Sequence, residues 1–118
     1  MTAAPNDIVI EQGATYDFTA TARSGGAYLD LTGYSARMSI RKHPESATAL
    51  IALVSPAVAG TGIDLGGVAG TVRVQIAASD TAALDFFIAY YDLEIVSAAG
   101  KVTRLLEGRV KLSREVTK

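Results

Sequence analysis

Residues 90 to 117, YYDLEIVSAAGKVTRLLEGRVKLSREVT, alternate apolar and polar side chains at period two on both sides of a short run of small residues. Successive side chains of a strand point to opposite faces of a sheet, so this pattern confines the segment to a half-buried β-hairpin and the chain to a fold that covers one of its faces. Tyr91, Leu93 and Ile95 share the expected inner face of the first arm, with Tyr90, Asp92 and Glu94 opposite. On the return arm Val102, Leu106, Val110 and Leu112 are expected inward, and Thr103, Glu107, Arg109 and Lys111 outward. A type I turn over Ser97 to Gly100, with Gly100 left-handed, brings the two inner faces into register. One place breaks the pattern: Arg104 falls on the inner face and Leu105 on the outer. A β-bulge, an arginine whose stem lies along the sheet with its head in water, and a contact surface in which Leu105 meets a partner all account for it.

The same grammar runs through the rest of the chain. Ile8 and Ile10 share one side of a short strand, and Tyr16, Phe18 and Ala20 one side of the next, with a glycine turn at Ser24-Gly25-Gly26. DLTGY places a turn glycine, Gly33, before GYSARMSIRKHP. There Ala36, Met38 and Ile40 face inward and Ser35, Arg37, Ser39 and Arg41 outward, until Pro44 ends the strand. ATALIALV departs from the rule, because Leu50, Ile51, Leu53 and Val54 put apolar groups on both faces. Either both faces are covered within the domain, or one is covered by another chain. An exposed apolar edge invites association, so these four residues, with Leu105, form the candidate interface. The glycine-rich stretch 55 to 70 reads as a loop, a brief strand through Ile63 and Leu65, and a tight turn. TVRVQI alternates again, with Val72, Val74 and Ile76 inward. Ser79 as a cap and Asp80 at the positive end of a helix dipole predict one short helical turn over 78–84.

Seven or eight short strands with turns between them, plus one helical turn, describe an all-β fold: an antiparallel, immunoglobulin-like β-sandwich of two sheets. In such folds a helical turn stands where the chain crosses between sheets, and Tyr91 just after it is placed to bond back to backbone as a tyrosine corner. At 118 residues the chain has the length of one domain. It is expected over 7–118, with 1–6 as a flexible N-terminal arm able to order on a neighbour.

Composition narrows function mainly by exclusion. A net charge of -1 provides no electrostatic footprint for nucleic acid or anionic lipid. No cysteine is present, which removes thiolate chemistry, zinc-thiolate sites and the framework disulfide of antibody domains. No apolar run is long enough to span a membrane, and the N-terminus has no signal-peptide pattern. His43, the single histidine, sits in KHPES, a strand-end loop without a partner pattern for a catalytic triad. The aspartates are scattered and show no calcium-loop spacing. GTGIDLGG lacks the order of a phosphate-binding loop and reads as turn glycines. The aromatics Phe86, Phe87, Tyr90 and Tyr91 are expected mostly in the core, though one exposed pair would make a sugar platform or a protein anchor. No enzyme, metal, cofactor or small-molecule substrate is expected.

Three stretches together carry a resemblance: IEQGATYDFTATARSGGAYLDLTGYSARMSIRK, AGTVRVQIAASDTAAL and YDLEIVSAAGKVTRLLEGRVKLSREVT. The combination of DLTGY (30–34) with YDLE, a glycine turn and LLEGRV resembles small phage and prophage proteins akin to the immunoglobulin-like N-terminal modules of baseplate and tail-fibre assembly proteins. The resemblance runs from about Ile8 to Thr117. It implies a non-enzymatic virion structural protein of the tail, neck or baseplate, made in the cytoplasm of a bacterial host. Its implied partners are other virion proteins or a second copy of itself. The chain departs from the longer baseplate proteins in having no fibre or stalk region after the sandwich. A carbohydrate-binding or host-adhesion module of the same β-sandwich type is the alternative.

Overall fold

The period-two pattern becomes period-two burial. In the computed structural model, which describes residues 3 to 117, the strands are β1 (Ala4–Pro5), β2 (Ile8–Glu11), β3 (Tyr16–Thr21), β4 (Arg23–Ser24), β5 (Ala27–Tyr28), β6 (Ser35–Arg41), β7 (Ile51–Val54), β8 (Gly62–Leu65), β9 (Thr71–Ile76), β10 (Ile88–Val96) and β11 (Val102–Ser113). A short helix α1 (Ala78–Ala82) precedes β10. One sheet runs β1-β11-β10-β6-β7, with β2 also on β11. The second is β3-β9-β8, and β4-β5 is a small separate hairpin. Neighbouring strands are antiparallel except at the N-terminus, where β1 and β2 lie parallel to β11. The fold is an all-β sandwich, and the chain crosses between the two sheets from β2 to β3, from β3 to β6, from β7 to β8 and from β9 to β10.

The core is the set of inner faces. Ile8 and Ile10, Ala36, Met38 and Ile40, Val72, Val74 and Ile76, Leu93 and Ile95, Val110 and Leu112 are all buried between the sheets. The turn of the last hairpin forms as the sequence predicts: the Gly100 amide donates to the Ser97 carbonyl at 2.9 Å, and Gly100 has φ +89°. Gly33 has φ +82° in the turn closed by the Tyr34 amide on the Leu31 carbonyl. Asp30 opens that turn by accepting from the Thr32 amide and hydroxyl at 2.9 and 2.6 Å.

Three expectations are corrected. First, residues 3 to 6 do not hang free: Ala4 and Pro5 lie beside Leu106 and Glu107, and the Asn6 amide donates to the Glu107 carbonyl at 2.8 Å. Residues 1 and 2 of the expected arm lie outside the described residues. Secondly, Ser79 does not cap the helix. Ala77 occupies the cap position and no side chain caps the helix; Thr61 from the loop before β8 tethers its start, accepting from the Ala77 amide and donating to Asp80. The buried Thr81 hydroxyl then donates to the Ala14 carbonyl and accepts from the Gly13 amide, which ties the helix to the turn after β2. Thirdly, Val102 points outward and is 47% exposed, while Thr103 takes the inner side opposite Ile95.

A bulge explains the third correction. Leu93 pairs with Leu106 but Glu94 pairs with Arg104, so Leu105 is an extra residue without a partner. Everything before it on β11 is shifted by one and changes face.

Two inner-facing tyrosines make stability sensitive to alkali. Burial, then the neighbouring Tyr91, pushes the Tyr16 phenol up from 10.0 to about 12. Burial also raises Tyr91, against the lowering effect of its hydrogen bond to Asn6. A folded value above the unfolded one means the folded state keeps a proton that the unfolded chain gives up. The contribution to stability is therefore complete below 10.0 and is lost as the pH rises towards about 12. Urea midpoints will be flat up to a pH of about 9.5 and fall steadily above it, and Tyr16→Phe will reduce that slope. Midpoints independent of pH over that range would refute the assignment.

Candidate functional site

The outer face of the six-stranded sheet carries most of the ion pairs of the fold. Cross-strand register sets it out in rows: Tyr90 between Arg109 and Arg41, Asp92 between Glu107 and Ser39, Glu94 between Arg104 and Arg37. Asp92 directly opposite Glu107 is a like-charge pair, which is unfavourable by itself. The bulge relieves it, because the change of face swings Arg104 outward. Its guanidinium lies 3.1 Å from Glu107, 3.6 Å from Asp92 and 4.0 Å from Glu94. Arg37 holds Glu94 at 2.8 Å from the other side. Burial and then the charge of Glu94 push the Asp92 carboxyl above its ordinary value, and the Arg104 guanidinium is raised chiefly by its bond to Glu107.

Where this face meets the end of the N-terminal strand there is an open groove of about 440 Å³, lined by residues that include Pro5, Arg41, Pro44, Tyr90, Glu107 and Arg109. Three carboxylates and three guanidiniums share its walls, so it selects by the placement of charges and not by their sum. Below it the N-terminal strand is locked. Tyr91 donates its hydroxyl to the Asn6 carbonyl, and the Arg109 amide donates to Asp7 Oδ1 at 2.8 Å. Tyr91 thus bonds to backbone, but to the N-terminal strand across the sheet edge and not to the corner just upstream that a tyrosine corner would use. Gly108 makes the lock possible, since a Cβ there would stand 2.5 Å from the Asn6 oxygen. Sequence reasoning missed both Asn6 and Gly108; a glycine inside the strand pattern LLEGRV was the available signal for a close backbone approach.

The candidate interface residues separate. β7 is the edge strand at the far end of this sheet, paired only with β6. Leu53 points into the core and is 1% exposed, and Ile51 packs against the core from the same face. Leu53 is therefore corrected from interface to core, because the strand's period puts 51 and 53 inward. Val54, 61% exposed, and Leu50, 40% exposed, remain at the surface, joined by Val58 in the following loop. Leu105, at the other edge of the sheet, is half-buried against the core.

His43 lies in an exposed turn closed by Ser46, whose hydroxyl accepts from the His43 amide at 3.1 Å. Among the described residues no three His, Asp or Glu side chains gather as a metal site. The two exposed aromatic rings do not pair into a platform: Tyr28 stacks under Arg23 at 4.6 Å and Phe87 under Arg114 at 4.9 Å. No helix is long and apolar enough to cross a membrane. No protein-family model matches the chain, and no curated protein matches it.

Proposed function

We propose that the chain is a non-enzymatic structural subunit of a phage virion, acting in the tail, neck or baseplate through contacts with other virion proteins or with a second copy of itself. Its place of action on this reading is the virion, after synthesis in the bacterial host cytoplasm. The observation that carries the reading is the β7 edge: a strand paired on one side only, with β6, at the end of the larger sheet, with Leu50, Val54 and Val58 facing solvent. Edge strands in lone monomers are usually blunted with charge, and this one carries none between Ile51 and Val54. The resemblance of residues 8 to 117 to baseplate and tail-fibre assembly modules gives the edge its setting.

The test is incorporation into particles. A tagged chain is produced during particle assembly in the strain that carries the gene, and purified particles are probed for the tag. Wild-type chain will co-purify with them. The double variant Leu50→Lys with Val54→Lys will fold, with stability changed by no more than about 1 kcal/mol, yet be absent from particles. Particles that lack the wild-type chain refute the virion reading, and particles that accept the variant refute the role of β7.

A further inference from the structure

Among the described residues the opposite edge of the same sheet also lacks a partner over a short length. The parallel strand formed by β1 and β2 covers β11 from Leu106 to Ser113, with Ala4 beside Leu106 and Ile8 beside Val110. Among the described residues nothing pairs with the outer edge of β11 from Val102 to Leu105. The hydrogen-bonding alternation there is set by the Ser97 amide donating to the Lys101 carbonyl, which makes Thr103 the next residue bonded to β10. Val102 and Arg104 therefore turn their N–H and C=O groups to the open side.

The second sheet is open at the same place, because β3 pairs only with β9. Between the end of β3 and the bare part of β11 lies a slot of about 340 Å³. Its apolar lining is Ala22, Leu29, Tyr34, Ile95, Val102 and Leu105. At that volume, near the lower end of the roughly 300–1,000 Å³ of ligand clefts, it takes side chains of an extended segment and not a rounded surface. The charged residues on its walls are Arg23, Lys101 and Arg104, with no carboxylate among them. Arg104 is already held by Asp92, Glu94 and Glu107 on the outer face. Arg23 and Lys101 form no ion pair among the described residues, so the slot has an uncompensated positive rim.

We infer that this slot receives an extended segment of another polypeptide, alternating apolar and acidic residues, which adds to β11 along Val102 to Leu105. The added strand completes the ladder that β1 leaves unfinished, its apolar side chains enter between the sheets, and its carboxylates face Arg23 and Lys101. The bulge at Leu105 sets the length of the site, since it interrupts the edge where β1 begins. This docking mode does not depend on the virion assignment and uses the edge of the sheet opposite β7.

The experiment uses the full chain and a capped peptide of alternating valine and glutamate, with a valine–lysine peptide of the same length as control, followed by amide NMR. In the free protein the Val102 and Arg104 amides will exchange quickly. The glutamate peptide will bind at least about tenfold more tightly than the lysine peptide and protect those two amides, a difference of about 1.4 kcal/mol. The surface variant Arg23→Glu with Lys101→Glu will reverse the preference. Slow exchange of both amides in the free chain would mean that its own terminus already covers the edge, and would overturn the inference. Shifts at these amides that grow with protein concentration alone would assign the edge to a second copy and overturn it equally. Equal affinity for the two peptides, no binding at millimolar peptide, or perturbation confined to β7 would each refute it.

Discussion

Leu53→Lys will unfold the protein under conditions where Val54→Lys leaves it folded, although the two residues are neighbours on one strand and equally apolar. Leu53 is 1% exposed between the sheets, opposite Met38, whereas Val54 is 61% exposed opposite Arg37. A lysine at 53 must either bury a charge with no carboxylate partner or give up its proton and overfill the site. Either route costs about 4 kcal/mol or more, a large fraction of the 5–15 kcal/mol that holds a domain of this size. At 54 the ammonium stays in water beside Arg37 and the cost is within about 0.5 kcal/mol. Circular dichroism melts of the two variants check the pair. A stable Leu53→Lys protein would show that β7 is not packed in this register.

Gly108→Val will release the N-terminal strand. The first atom added at 108 would meet backbone, 2.5 Å from the Asn6 oxygen and 2.8 Å from the Asn6 carbonyl carbon, with Asp7 Oδ1 at 2.9 Å. Backbone cannot rotate aside as a long side chain would, so β1 and β2 must lift from β11. The change forfeits the Asn6 to Glu107 bond, the Asp7 contact to the Arg109 amide and the burial of Ile8 and Ile10. The expected loss is about 3 kcal/mol or more. Tyr91→Phe tests the same lock more gently. It removes the hydroxyl that Asn6 accepts, and costs about 1 kcal/mol with no change of fold. Hydrogen exchange at the Asn6 and Gln12 amides, which donate to Glu107 and Ser113, separates local release from global unfolding. Unchanged protection of both amides in Gly108→Val would contradict the packing described.

The inner faces were legible wherever a strand kept its period. Ala36, Met38 and Ile40 on β6, Val72, Val74 and Ile76 on β9, and Leu93 and Ile95 on β10 all lie where alternation places them. Alternation also exposed its own failure at Arg104 and Leu105, but could not decide between a bulge and a contact. The structure has the bulge, and part of its setting lies on β10: Asp92 there faces Glu107, and the bulge brings the Arg104 guanidinium within reach of both carboxylates. The helix start was misread for a similar cause. Ser79 has the right chemistry for a cap, yet the cap position falls on Ala77 with no side-chain cap, and Thr61, distant in sequence, bonds the Ala77 amide.

The sequence by itself determined that this chain is a two-sided β structure with a tight final hairpin, because side-chain period and turn glycines act over a few residues and need no partner to be read. Only the tertiary structure decided which strands lie at edges, that β1 and β2 run parallel along β11, and that the length of β11 left without a partner among the described residues opens onto a cationic slot. Those features arise from contacts such as Asn6 with Tyr91, 85 residues apart. An edge, moreover, is defined by the neighbour a strand lacks, which no local pattern records.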